Sequence, residues 1–148
     1  MADSGRRIGA VRVLAILVMV AAGILIVAGV TTYTVVSTTL ANQHITVSDD
    51  AEHFAGQKVN QPWEAYAQAN VIAKHASDMA GGKTYAELPR DDPNRNSVMN
   101  ASFLQASLFT SVVAFGVAAL AVGLGVVFFL IAMALNRLSR RDVVAAAT

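Results

Sequence analysis

Polar and apolar positions are unevenly distributed along this chain. Val13 to Val36 runs 24 residues without a charged side chain, and Ala101 to Leu135 runs 35. A bilayer core is matched by roughly 20 helical residues, so each stretch predicts a membrane-crossing helix. Between them, the polar segment Ser37 to Asn100 is 64 residues long. Within it, Ala65, Ala69, Ile72, Ala76 and Met79 recur at three- and four-residue spacing, which predicts one face of a further helix. Pro62 suits the first position of that helix, with Asn60 or Gln61 near its cap, and Gly81-Gly82 ends it. Ile45-Thr46-Val47 predicts a short strand before the acidic turn Ser48-Asp49-Asp50. Asp92 followed by Pro93 starts a helix expected to run through Asn100 into the second apolar stretch. The pattern predicts an all-α membrane protein, a two-transmembrane helical hairpin with an extracytoplasmic loop containing short helices. Its expected segments are a cytoplasmic N-terminus over 1–12, transmembrane helix 1 over 13–36, the loop over 37–100, a helix including transmembrane helix 2 over 101–135, and a cytoplasmic C-terminus over 136–148.

Charge sets the orientation. Arg6, Arg7 and Arg12 precede the first stretch, and Arg137, Arg140 and Arg141 follow the second. The loop holds five basic residues against eight acidic ones, a formal charge of −3. Lysine and arginine are retained on the cytoplasmic side, so both termini are expected there, in a multi-pass plasma-membrane protein. Thr39-Leu40-Ala41 gives a weak cleavage pattern, but the first apolar run is far longer than the 7–15 residues typical of a signal peptide. It is expected to stay as an uncleaved anchor. The flanks of about a dozen residues are too short to bury a core, which directs the expected activity to the membrane or its far side. There is no cysteine, so the loop has no disulfide to brace it.

The two apolar stretches carry small-residue patterns. Ala15, Ala22 and Gly29 are seven apart in the first. In the second, Ser107, Ser111, Ala114, Ala118, Ala121 and Gly125 alternate steps of four and three, with Ala132 seven further on. That spacing is a seam for left-handed helix packing, where small side chains let backbones approach in lipid. The pattern leaves open whether the seam meets the first helix or a foreign one. Tyr33, near the outer end of the first stretch, suits the headgroup zone. Trp63 and Tyr66 are the candidate contact residues of the loop, which has too little core of its own and is expected to fold against another protein or along the membrane.

Neither span contains an Asp, Glu, Lys, Arg or His, which argues against an ion-coupled transporter or a proton relay. His44, His53 and His75, with Asp49, Asp50 and Glu52, supply ligand residue types without an HxH or HxxxH spacing, and the acids read as turn and solvated surface. Gly82-Lys83-Thr84 lacks the earlier glycine of a phosphate loop, since Ser77 stands there. Asn100-Ala101-Ser102 fits a glycosylation acceptor but abuts the membrane. No nucleophile elbow or dinucleotide fingerprint occurs, and the expectation is a non-catalytic protein with no cofactor or metal of its own.

The phrases ITVSDDAEHFAGQKVNQPWEAYAQANVIAKHA, GGKTYAEL and above all MNASFLQASLFTSVVAFGVAAL resemble a family of small actinobacterial two-span membrane proteins. The resemblance runs from about Gly29 to Leu135. Members often carry the label of an aromatic ring-opening dioxygenase, which these residues do not support; one mycobacterial member is similar to the prokaryotic respiratory supercomplex association factor. The resemblance implies an accessory subunit of the cytochrome bcc–aa3 oxidase supercomplex that contributes to assembly or stability. It implies haem and copper in the partner subunits, and it carries over no catalytic residue. A self-assembling hairpin forming a small pore, and an extracytoplasmic sensor of a metal or small ligand, are the alternative expectations.

Overall fold

The computed structural model describes the backbone of residues 2–145 and the side chains of residues 9–139. The side chains of Arg6, Arg7, Arg140 and Arg141, on which the charge asymmetry partly rests, lie outside the described residues. Among the described residues there are three helices: α1 (Ala2–Asn42), α2 (Pro62–Met79) and α3 (Arg95–Ala145). Two of them, α1 and α3, are long and apolar enough to cross a bilayer. Both outrun the apolar stretches that predict them, because no proline or other breaker stands at either boundary. After Val36, Thr38 bonds its hydroxyl back to the carbonyls of Thr34 and Val35, at 2.9 and 3.0 Å, and so is tolerated in the helix. The helix stops at Asn42, and His44 follows in the left-handed region at φ 54°. The helix started at Asp92-Pro93 and the second span form one element, with Asp92 accepting a 2.8 Å bond from the Asn94 amide just before Arg95. The segment between α1 and α3 therefore holds one separate helix.

The chain divides into two units. The first comprises Met1–Thr31 and Val117–Thr148. Here α1 and α3 run antiparallel over a close contact. Ala15, Ala22 and Ala132 are buried, as is Ala118. A Cβ added to Gly29 would sit 2.7 Å from the Ala118 carbonyl and 2.7 Å from Val122 Cγ2. One added to Gly125 would sit 2.6 Å from Ile26 Cγ1 and 2.9 Å from the Ala22 carbonyl. At these two positions the backbones meet at a distance only glycine permits.

The second unit, Thr32–Gly116, is joined by large side chains. Leu40, Val47, Val59, Ala65, Ala69, Leu108 and Phe115 form its core. The loop thus folds on the ends of its own long helices, where the expectation was a foreign protein or the membrane surface. The physical reason is visible in α2, whose Ala65 and Ala69 are fully buried and let it seat against Leu108 and Phe115. The expected strand at Ile45-Thr46-Val47 reduces to a single antiparallel bridge between Thr46 and Lys58. Val47 donates to the Gln57 carbonyl and Gly56 donates back to Val47, at 2.8 and 2.9 Å. The ladder is short because the chain turns at once, with Phe54 and Gly56 both at positive φ, 62° and 71°. For phenylalanine that conformation costs on the order of 1–3 kcal/mol.

Candidate interaction surfaces

The second unit is fastened by buried polar groups. Glu64, 6% exposed, accepts from the Gln61 amide at 2.7 Å and caps the start of α2. Tyr33 of α1 donates its hydroxyl to the Gln61 side-chain oxygen. Its ring also meets Phe115 of α3 edge-on, with centroids 4.8 Å apart. Tyr33 is therefore a clamp between three helices, a role its headgroup-zone reading did not foresee. The buried amide of Gln68 accepts a 2.8 Å bond from the Ser48 amide and holds the acidic turn against α2. Beside it, His75 Nε2 lies 2.7 Å from Asp50 Oδ2. That hydrogen bond holds the Asp50 carboxyl below the usual aspartate range.

The far end of α2 closes with Gly81 at φ 63°, where Gly82 donates to the Ser77 carbonyl and Gly81 to that of Asp78. The next turn is held by Glu87, whose carboxylate accepts from the Thr84 amide and hydroxyl, both at 2.8 Å. These bonds, the amide foremost, lower the Glu87 pKa. Arg95 then ties the segment down. Its guanidinium sits 4.2 Å over the Tyr85 ring and donates to the carbonyls of Tyr85 and Leu88.

The seam residues of α3 take different places. Ala118, Gly125 and Ala132 face α1 in the first unit and are buried; Ala121 is half-buried. In the second unit Ser107 is exposed, while Ser111 and Ala114 are half-buried. All three line a groove of about 650 Å³ with Val36, Leu40 and Leu108. At this level the space between helices is filled by Leu108 and Phe115, so the small-residue register no longer marks the contact.

Much of the apolar surface of α3 stays bare, with Val113, Val126, Phe129 and Leu130 exposed beside a further periodic series. Val117, Leu120, Leu124, Val127 and Ile131 follow steps of three and four and are all exposed, between 42% and 61%. In the most apolar stretch of either long helix only 17% of residues are buried. Sequence reasoning missed this second stripe because a uniformly apolar helix hides its large-residue register.

Trp63 and Tyr66 lie on the outer face of α2, each 53% exposed. Tyr66 is braced by Phe109, ring centroids 5.8 Å apart. Together with Phe54 and His53 they line a groove of about 560 Å³. Nothing in the spacing of residues 52–54 foretold this, since the positive φ at Phe54 brings its ring there. Among the described residues no group of three or more His, Asp or Glu side chains could hold a metal ion. Comparison with protein families, curated proteins and solved structures finds no match to this chain.

Proposed function

We propose that the chain crosses the plasma membrane twice, with both termini cytoplasmic and residues 37–100 outside, and serves as a non-catalytic accessory subunit of a larger membrane complex. The observation that carries this reading is the stripe Val117, Leu120, Leu124, Val127 and Ile131. Large apolar residues at alternating steps of three and four are what a second helix packs against. The chain's own α1 occupies the small-residue register instead. The resemblance of residues 29–135 to the family of small actinobacterial two-span membrane proteins, one member of which is similar to the respiratory supercomplex association factor, supports a respiratory host, the cytochrome bcc–aa3 supercomplex. In that reading haem and copper belong to the partner subunits.

The test is affinity purification of the tagged full chain from native membranes in a gentle detergent. Oxidase subunits should co-purify, and Leu120→Gly with Leu124→Gly should release them while the chain still inserts. Recovery of a pure homo-oligomer would favour the pore reading, and recovery of a single chain without stable partners would contradict an accessory role.

A further inference from the structure

Outside the two long helices, the large hydrophobic side chains found exposed among the described residues are Phe54, Trp63, Tyr66 and Met79. The first three line one groove. The concentration is not explained by contact with lipid tails, because the same lining carries Asp50, Glu52, His53 and Lys74. Ala51, Pro62, Ala67 and Val71 complete its apolar surface, and its volume falls in the range of small-molecule sites.

The charges around the groove are not equivalent. Asp50 is engaged by His75 at 2.7 Å, and Lys74 is bridged to Asp78 at 3.3 Å. Glu52 makes no hydrogen bond or ion pair among the described residues, and it is exposed. The groove therefore combines ring faces with two carboxylates, of which Glu52 alone has no partner among the described residues, in a segment of formal charge −3. Ring faces are negative and attract a cation within about 6 Å of the centroid. They favour a cation with an apolar body, whose weak hydration makes transfer from water inexpensive. An anion would meet only the already paired Lys74, and a neutral apolar ligand would leave Glu52 facing it without compensation.

We propose that this groove binds a small organic cation, an alkyl- or arylammonium whose charged centre sits among Trp63, Tyr66 and Phe54 with Glu52 as counter-ion. This site is independent of the accessory-subunit reading. The ammonium can be free or borne on a lipid headgroup, since the chemistry is shared.

Trp63 is the sole tryptophan, so its emission reports on the groove in the intact chain. The full-length protein, in non-ionic detergent, is titrated with benzyltrimethylammonium and with its neutral isostere neopentylbenzene. The cation should change Trp63 emission saturably and bind about 10-fold or more tighter than the isostere. Glu52→Gln, an exposed change that leaves the fold alone, should weaken the cation several-fold, and Tyr66→Leu should weaken it about 3- to 30-fold. Phosphatidylcholine discs that shift the emission before any salt is added identify a headgroup source. Phosphatidylcholine and phosphatidylglycerol discs that titrate alike identify a free ammonium ion. Equal affinity for the isostere, an unchanged titration in Glu52→Gln, or no saturable response would overturn the proposal.

Discussion

The hydroxyl of Tyr33 on α1 reaches the side-chain oxygen of Gln61, the residue that caps α2. This one bond links the end of a long apolar helix to the start of the loop helix, and the Tyr33 ring against Phe115 extends the link to α3. Removing the hydroxyl in Tyr33→Phe keeps the ring contact and strands a part-buried acceptor. The expected loss is about 1 kcal/mol. Phe115→Ala, at a side chain 1% exposed, should cost about 3–5 kcal/mol. Thermal unfolding in detergent gives both losses, and hydrogen exchange should rise first in α2. Equal exchange in α2 for the wild type and both variants would refute the clamp.

Glycine tolerance separates the packed register from the bare one. Gly125→Ala and Gly29→Ala place a methyl into backbone and side-chain atoms under 3 Å away, whereas Gly23 and Gly123 have nothing within 4 Å. The first pair should destabilise by about 1–3 kcal/mol each. The second pair should be neutral or slightly stabilising, since alanine favours helix. Denaturation by SDS titration in mixed micelles measures the difference, and equal effects in both pairs would refute the contact.

Two carboxyls give the stability profile an acid limb. Asp50 and Glu87 both have pKa values lowered in the folded chain, by His75 and by Thr84 respectively. A lowered folded pKa contributes stability above the unfolded pKa, and that contribution disappears as pH falls through the folded value. The effect is therefore confined to acid, below the ordinary carboxylate range. Asp50→Asn and Glu87→Gln should flatten Tm against pH there. Both groups are exposed, so the change is small, and a steeper acid limb in either variant would contradict the sign.

The segment after α2 depends on one guanidinium. Arg95→Lys keeps the charge but loses the planar fork that reaches two carbonyls while stacking on Tyr85. Limited proteolysis should then cut between Lys83 and Arg90 faster, with α2 unaffected. An unchanged cleavage rate would show that the cluster of Ala80, Leu88 and Val98 suffices.

The long helices were legible because an uncharged run of 24 or 35 residues has few alternatives to a helix in lipid. Both ends of α2 were legible too, since Pro62 and Gly81 punctuate them by local rules. What the pattern did not carry was tertiary. Ala118 and Ser107 belong to one periodic series, yet Ala118 is buried against α1 and Ser107 is exposed where Leu108 takes over the contact. Only the presence of α2 beside Leu108 decides between them. The strand expected at Ile45-Thr46-Val47 shrank to one bridge because Phe54 and Gly56 turn the returning chain too early. The aromatic groove was hidden for the same reason, as a backbone angle at Phe54 is not a property of composition.

Orientation in the bilayer underlies the whole reading, and the absence of native cysteine makes it directly measurable. Single cysteines at Ala86, exposed in the loop, and at Ala10, exposed near the start of α1, can be offered a membrane-impermeant maleimide in intact cells. The account predicts that position 86 reacts at once and position 10 only after lysis. Labelling of position 10 in intact cells, with position 86 protected until lysis, would contradict it.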